Sequence, residues 1–456
     1  MKLEFFIIIE FFLHIFLIVL QYFGYVIELH RDPASGKVKL LRLGRWRGTL
    51  QHEDLPPSCR YIASSEHLDM LGAPLFASFR KTKQNNGVDL QDKLRKKAGP
   101  WSTKIMPIIQ RSFSCNCYLL PKTWFRCHLI PLRKGDTDNL KKIVNRFVFA
   151  DQLEKPHDVI KYRPRSKGGL QMHNIECKSL AIQIKSFLEM SVGSKFRHSL
   201  YFSALYEYFV LENHTISAPR CPPFYNQKFF EEIKTASANN QVTEWSSKQW
   251  YCYLLERRHL QREILDDDGV SSREDIKCQA EEAYPEFDWD TTWARIRLPG
   301  LSNESRSTLW LYFHNLLPTQ SRLHRILRTV NSPFCLQCET DEPDLTWSHT
   351  FLTCSYSIHI FQWMLEKINS VLPIDVNLET ALWLQFPPPI TEIELLCATW
   401  LVAETMTYVW SRRKSRENVS IASLLAILQI NALHLSHTTN HSLAGHQLCN
   451  LLNNAV

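Results

Sequence analysis

Two cysteines, a histidine and a third cysteine follow one another at short intervals in the C-terminal half of the chain. Cys335, Cys338, His349 and Cys354 form the pattern C-x2-C-x10-H-x4-C. Thiolates and imidazoles are preferred ligands of Zn²⁺, and two cysteines with two residues between them can both reach one ion from a tight turn. Four such ligands would leave no coordination position open, so the spacing predicts a structural zinc knuckle. The alternative is four unrelated residues that share a loop.

The remaining cysteines do not form the framework of a small disulfide-rich protein. The chain has 13 cysteines, an odd number, and they are spread along its length. Besides Cys335 and Cys338, the only closely spaced pair is Cys115 and Cys117. Small secreted domains use even sets at short intervals, so this pattern favours a reducing compartment with buried thiols and one metal site.

Basic residues are concentrated in one part of the chain. The formal net charge is +7, but residues 80–167 contain 21 Lys and Arg against 7 Asp and Glu, a local excess of +14. The remainder of the chain therefore carries a net charge of −7. A basic region on a mildly acidic body favours an anionic partner that is contacted by that region. The alternative is an ordinary solvated surface.

An apolar segment opens the sequence. Phe5–Ile27 is interrupted by few polar residues, one of them Glu10, and its length is near the roughly 20 residues that span a bilayer. No small-residue cleavage site follows it, and six Lys and Arg at residues 31–47 against Lys2 before it would place the body in the cytosol. The alternative is a hydrophobic leader without a membrane, because a glutamate is costly in lipid. The chain would then occupy the cytoplasm and nucleus.

The elements that must position these residues are predicted to be mainly helical. Hydrophobic residues make up 45% of the chain and charged residues 22%, as in ordinary globular proteins. In Leu140–Phe149 the apolar residues recur at helical spacing and the basic residues lie off that face. Val88–Lys97 is predicted to be a basic helix ended by Pro100, Val159–Pro164 an extended stretch and Lys37–Arg47 a short strand. Further helices are predicted at Ile105–Leu120, Ser179–Met190, Thr308–Leu317, Ser321–Val330, Ile358–Val371, Glu392–Trp410 and Ser420–His434.

Around the four candidate ligands, short motifs follow one another in a fixed order. Between Leu298 and Trp363 they are Trp310, Leu316-Leu317-Pro318-Thr319, Arg322-Leu323, Glu339-Thr340, Phe351-Leu352 and Trp363 itself. With the cysteines and the histidine, this run resembles the zinc-binding domain that follows the reverse transcriptase of non-LTR (LINE-type) retrotransposons. The family places Glu-Thr closer to its histidine, and Asp341–Leu345 has the character of a small insertion.

A second series of motifs lies between His67 and Phe187. Its members are Met70-Leu71-Gly72, Trp101, Arg111, Leu119-Leu120-Pro121, Phe147-Val148-Phe149, Gly168-Gly169-Leu170 and Asn174-Ile175. This series resembles the palm edge and the helical thumb of the same reverse transcriptases. The two stretches together cover somewhat under half of the chain.

The resemblance implies a mainly α protein that corresponds to the C-terminal portion of such an enzyme, with a small β remnant of the palm edge. The implied parts are a hydrophobic leader or membrane anchor (1–30), the palm-edge remnant (31–80), a basic helical thumb-like domain (81–195), a helical connector (196–290), the reverse-transcriptase zinc-binding domain (291–375) and C-terminal helices (376–456).

A thumb grips the backbone of the template–primer duplex, so the resemblance gives the basic region a function. Phosphate contacts from Lys and Arg supply most of the affinity that does not depend on sequence. The expected partner is RNA or an RNA–DNA duplex. The candidate contacts are the basic residues of the thumb-like domain: Lys93, Arg95, Lys96, Lys97, Lys141, Lys142, Arg146, Lys161, Arg163 and Arg165.

The carboxylates that catalyse polymerisation are missing from the sequence. Nucleotide transfer needs Asp residues that hold two Mg²⁺ ions, and reverse transcriptases carry two of them in an aromatic-x-Asp-Asp hairpin before the thumb. No such motif precedes the thumb-like domain, and Asp266-Asp267-Asp268 lies well after it. We therefore expect a nucleic-acid-binding chain that is not itself an enzyme. The alternatives are part of an active polyprotein with its catalytic half elsewhere, a membrane-anchored protein of unrelated role, or a decayed reading frame.

Overall fold

The computed structural model of the chain describes residues 26–31, 38–42, 59–61, 67–70, 73–76, 78–104, 106–149, 155–192, 199–212, 227–238, 242–263, 287–338, 349–438 and 442–453. Residues 5–25 of the apolar N-terminal segment, the acidic triplet at 266–268 and Glu339-Thr340 lie outside the described residues. Within the described part, no helix combines the length and the apolar character needed to cross a membrane.

The strands of the described chain lie near its N-terminus. They are Val26–Arg31 (β1), Val38–Arg42 (β2), Cys59–Tyr61 (β3), Leu68–Met70 (β4) and Ala73–Leu75 (β5). The first three form a sheet in the order β1-β2-β3, in which β1 and β2 are antiparallel and β2 and β3 are parallel. β4 and β5 form a separate antiparallel pair. β2 lies inside the strand predicted from the sequence.

Helices make up most of the described chain, which confirms the predicted mainly α class. They are Phe79–Ser102 (α1), Ile108–Ser114 (α2), Pro121–Leu129 (α3), Lys134–Val148 (α4), Asp158–Tyr162 (α5), Ile175–Val192 (α6), Ser199–Tyr206 (α7), Gln227–Ser237 (α8), Ser247–Glu263 (α9), Trp289–Ile296 (α10), Asn303–Phe313 (α11), Gln320–Ile326 (α12), Ile358–Asn369 (α13), Leu378–Leu382 (α14), Glu392–Ser415 (α15), Ile421–Ser436 (α16) and Ser442–Asn453 (α17).

Two local predictions are wrong. Val159–Pro164 was expected to be extended, but most of it lies in α5, where the side chain of His157 accepts a hydrogen bond from the Val159 N–H. Pro100 was expected to end a helix, but it lies inside the last turn of α1. A proline removes one backbone hydrogen bond, and α1 has 24 residues, so the remaining bonds carry the helix on to Ser102.

The chain forms two compact units, and each is assembled from separate stretches of the sequence. Unit 1 comprises Met1–Lys104, Cys115–Phe147 and His173–Ile264. Unit 2 comprises Ile105–Ser114, Val148–Met172 and Leu265–Val456. The chain therefore passes from one unit to the other several times, an arrangement that the predicted linear order of domains did not anticipate.

Unit 1 is built around α6, which packs against α3, α7 and α9. An aromatic cluster fills the space beside it, with Phe187 from α6, Phe229 and Phe230 from α8, and Trp250 from α9 all buried. The rings of Phe187 and Phe229 meet edge to face at 5.4 Å between centroids. Burying one such side chain stabilises a fold by about 1.5–3 kcal/mol, so this cluster anchors the unit.

Unit 2 is built around α15, whose middle turns are buried. A capping box starts this helix: Thr391 Oγ1 accepts from the Glu394 N–H at 3.2 Å, and the Glu394 carboxylate accepts from the Thr391 N–H at 2.8 Å. The helix ends at Ser415, and the capping residue Arg416 that follows it has a left-handed backbone. Basic residues fill its last turn, where they complement the partial negative charge of the helix C-terminus.

A tight glycine turn joins distant parts of unit 2. Gly168 has a φ of 77°, and its carbonyl oxygen accepts hydrogen bonds from Trp310 Nε1 at 2.9 Å and His314 Nε2 at 2.7 Å. A Cβ atom on Gly168 would overlap the indole ring of Trp293, and one on Gly169 would overlap the carbonyl of Arg163. Both positions therefore require glycine, and the Gly168-Gly169 motif has a physical reason in this fold.

Candidate metal centre and basic residues

The four candidate ligands meet at one point in unit 2. The sulfur atoms of Cys335 and Cys354 are 3.8 Å apart, and Cys338 Sγ is 3.4 Å from His349 Nε2. All four ligand atoms lie within 4.8 Å of one another. Cys335, His349 and Cys354 are buried and Cys338 is half-buried. Four such atoms around one point are the arrangement that can bind a structural metal ion.

Two short turns bring the ligands together. Cys335 and Cys338 lie in the turn that follows α12, and His349 and Cys354 bracket a single wide helical turn just before α13. The Cys354 N–H donates to the His349 carbonyl at 2.8 Å, which holds this second turn closed. Thr353 Oγ1 lies 3.4 Å from Nδ1 of the same histidine, so a hydrogen bond there leaves Nε2 directed at the cysteines.

Arg413 completes the surroundings of the cluster. This residue lies in the last turn of α15 and is buried, with Nη2 at 3.3 Å from Cys335 Sγ and Nη1 at 3.9 Å from Cys354 Sγ. Its backbone carbonyl accepts a hydrogen bond from Gln337 Nε2 at 3.3 Å, which ties the first cysteine turn to α15. A divalent ion with three thiolates and a neutral imidazole carries a charge of about −1, and the guanidinium would balance it.

The thiols of Cys335 and Cys354 have pKa values shifted in opposite directions, which favours one thiolate at the cluster. A hydrogen bond from the Cys354 thiol, helped by the Gln337 backbone and the Arg413 guanidinium, lowers the pKa of Cys335 well below its usual range. The same contact, together with burial, raises the pKa of Cys354. One thiolate is therefore favoured within the pair before any ion binds, and a metal ion would stabilise the remaining thiolates by direct coordination.

The predicted nucleic-acid contacts on α1 differ in how freely they face solvent. Lys93 pairs with Asp89 at 2.6 Å and Arg95 with Asp92 at 2.8 Å. Lys97 donates to the Tyr118 carbonyl and lies 3.9 Å from the centre of the Tyr118 ring. Lys96 is exposed and has no ion-pair partner among the described residues. Exposed pairs within a helix are weak, so a phosphate could displace the two carboxylates.

On α4 the basic residues lie off the apolar face, as predicted. Val144 and Phe147 are buried, whereas Lys142 and Arg146 are exposed and Lys141 is half-buried. Within the described chain, Lys142 and Arg146 have no carboxylate partner. Two full positive charges on one exposed helical face are therefore available to an anion.

The last three predicted contacts belong to unit 2. Lys161 is buried, and its ammonium group pairs with Asp158 at 3.1 Å. A buried lysine in an internal ion pair stabilises the fold and is poorly accessible to a phosphate. The phosphate contact predicted for Lys161 therefore does not fit its position. Arg163 and Arg165 are half-buried, and the Arg165 guanidinium lies 5.7 Å from the centre of the Phe113 ring. Seven of the ten predicted residues thus lie in unit 1 and three in unit 2.

Sequence reasoning missed Arg413. It lies 59 residues beyond Cys354, just past Trp410, where the helix was predicted to end. Its one signal in the sequence is a run of basic residues at the end of that helix, and such runs usually face solvent.

No protein-family model and no curated protein matches the chain.

Proposed function

We propose that the chain binds RNA or an RNA–DNA duplex, that it descends from the reverse transcriptase of a non-LTR retrotransposon, and that its Cys335 cluster holds a structural zinc ion. One observation carries the binding proposal: Lys96, Lys142 and Arg146 are exposed without carboxylate partners in the described chain, in a region with a charge excess of +14. Unpaired cations of this kind bind phosphates without sequence preference.

The geometry of the four ligand atoms supports zinc as the ion. Tetrahedral zinc, with Zn–S bonds of about 2.3 Å, holds two sulfurs roughly 3.8 Å apart and a sulfur and a nitrogen roughly 3.5 Å apart. The Cys335–Cys354 and Cys338–His349 separations are 3.8 Å and 3.4 Å. Three thiolates and one imidazole leave no position for water, so such an ion would support the fold and perform no chemistry. The proposed descent rests on the order of the sequence motifs.

Nucleic-acid binding by the full-length chain is expected to weaken steeply as salt rises. If about five Lys and Arg contact a B-form duplex, the log–log slope of affinity against salt should be near −4 to −5, because each neutralised phosphate releases condensed counterions. Replacing Lys141, Lys142 and Arg146 by Ala should flatten the slope by up to about 3 units and leave sequence preference unchanged. Fluorescence anisotropy with labelled duplexes measures both quantities.

The matched control removes the same charge elsewhere. Lys248, Arg328 and Lys367 lie outside the basic region, and their replacement by Ala should leave the slope nearly as steep as in the parent. Affinity that does not depend on salt, or equal slopes for the two triple variants, would show that the cations of α4 are only a solvated surface.

The chain by itself is expected not to extend a primer. With Mg²⁺, template, primer and nucleotides, no product should appear, because no pair of metal-holding Asp residues precedes the thumb-like region. Denaturing gels of the reaction provide the measurement, with an active reverse transcriptase as the positive control. Extension by the pure chain that is lost in Asp267→Ala would show that the acidic triplet is catalytic.

A further inference from the structure

A second candidate site lies in unit 1, and it contains none of the ten predicted nucleic-acid contacts. A cavity of about 590 Å³ opens between the start of α4 and helices α1, α6, α8 and α9. Five basic side chains from these elements and from the loop before α4 line it: Lys83, Arg133, Lys134, Lys228 and Arg258. None of them is among the ten predicted nucleic-acid contacts, so their convergence is a property of the fold.

The acidic side chains near the cavity do not balance this charge. Glu176 lies 2.6 Å from Arg258 and 3.7 Å from Lys228. The buried Asp136, just outside the lining, binds Arg133 at 2.7 Å, and Asp138 is the other carboxylate at the wall. Three carboxylates against five cations leave an excess of about +2 at one concave surface, where low-dielectric walls concentrate the potential.

Further features of the lining favour an anion in this cavity. The first turn of α4, a helix of 15 residues, lies at the wall, and the N-terminus of a helix carries partial positive charge. Burial, and then the neighbouring charge of Arg133, lower the pKa of Lys83, as expected where like charges are crowded. The hydroxyl of Ser179 and the amide of Gln183 add neutral hydrogen-bonding groups to the lining.

We propose that this cavity binds a terminal phosphate group, a phosphomonoester dianion. Such a group carries a charge of about −1.5 to −2 at neutral pH, which matches the excess in the cavity. A concave site suits one compact dianion better than the run of single charges along a nucleic-acid backbone. The same chemistry occurs in a free nucleotide and at the phosphorylated 5′ end of a strand, and the site stands or falls independently of the proposed duplex binding.

Inorganic phosphate and a nucleoside monophosphate are the first probes, titrated by calorimetry into the full-length chain at constant ionic strength. The double variant Lys83→Gln/Lys134→Gln should weaken both by about tenfold or more, because it removes two of the five cations that line the cavity. Lys134→Gln alone changes an exposed side chain and tests the site without risk to the fold. The control Lys248→Gln/Lys367→Gln should bind like the parent.

Paired oligonucleotides separate the two sources. A 5′-phosphorylated strand that binds more tightly than its 5′-hydroxyl twin, with the difference lost in the double variant, would identify a strand end as ligand. Equal binding of the twins, with intact binding of the monophosphate, would identify a free nucleotide. Absence of phosphate binding at millimolar concentration, or equal phosphate affinity in the parent and both lysine variants, would overturn the proposal. The salt slope of duplex binding is measured separately, so failure there would leave this result unaffected.

Discussion

Replacing Cys335 and Cys338 together by alanine is expected to abolish zinc binding by the full-length chain and to lower its thermal stability sharply. The parent should contain one Zn²⁺ per chain, and the variant none, because two of four ligands are gone. Structural zinc contributes about 10–16 kcal/mol of binding free energy in small zinc-finger peptides at neutral pH. Part of that would be lost from unit 2. Metal analysis gives the stoichiometry, and thermal melting with and without a chelator gives the stability.

Exposed cysteines elsewhere supply the control. Cys117 and Cys252 are exposed and lie outside the cluster, so the Cys117→Ala/Cys252→Ala variant should keep its zinc and its melting temperature. Arg413→Met should retain zinc but release it to a chelator faster, since the charge of about −1 on the centre would lose its buried counterion. A zinc-free parent, or equal zinc in both double-cysteine variants, would contradict the assignment.

The second large effect is expected at Gly168. Replacing it by Ala should lower the free energy of unfolding by about 2–5 kcal/mol, because a left-handed backbone costs a residue with a Cβ about 1–2 kcal/mol and overpacking a core costs about 1–3 kcal/mol more. The added methyl would overlap the Trp293 ring, and the carbonyl that binds Trp310 and His314 would have to shift. Denaturant unfolding followed by tryptophan fluorescence measures the loss.

Gly99 is the matched position for this test. It lies in α1 with nothing within 4 Å of where a Cβ would stand, and its φ is not positive. Gly99→Ala should therefore be neutral or stabilise slightly, because alanine suits a helix interior better than glycine by about 1 kcal/mol. If both variants unfold alike, the glycine turn does not hold unit 2 together in the way its contacts indicate.

The cluster of three cysteines and one histidine could be predicted from the sequence because its spacing is local. Cysteine and histidine side chains at this short spacing can reach one point in many different folds. In the structure the ligand atoms of Cys335, Cys338, His349 and Cys354 lie within 4.8 Å of one another. Arg413 and the cavity of unit 1 could not be predicted in this way. Arg413 is far along the sequence from the cysteines that it contacts, and the residues that line the cavity come from elements that are far apart in the sequence. Neither hydrophobic periodicity nor residue spacing predicts which distant turns will lie next to each other.

The helices could be predicted where an apolar stripe determines them, and less well where capping does. The apolar spacing of α4 predicted which of its faces is buried. The five residues of α5 have no clear apolar stripe, and a capping histidine side chain stabilises the start of the helix. The adjacent Pro164 therefore led to the wrong prediction of an extended segment. The basic region shows a similar limit. The charge count shows where basic residues are concentrated in the sequence, but only the structure shows that Lys161 is buried in an ion pair with Asp158.

The interleaving of the two units bears on how the polypeptide acquires its structure. Gly168 is separated from Trp310 and His314 by 142 and 146 residues. Its carbonyl can therefore accept their hydrogen bonds only after those residues have been synthesised and have folded against the turn. Such a topology has high contact order. Long loops must close, at a cost in chain entropy, before the contacts between their ends can stabilise the fold. A ribosome would release residues 105–114 and 148–172 well before the bulk of unit 2 emerges. A fragment cut at Leu298 would lack both segments, including the carbonyl that Trp310 and His314 share.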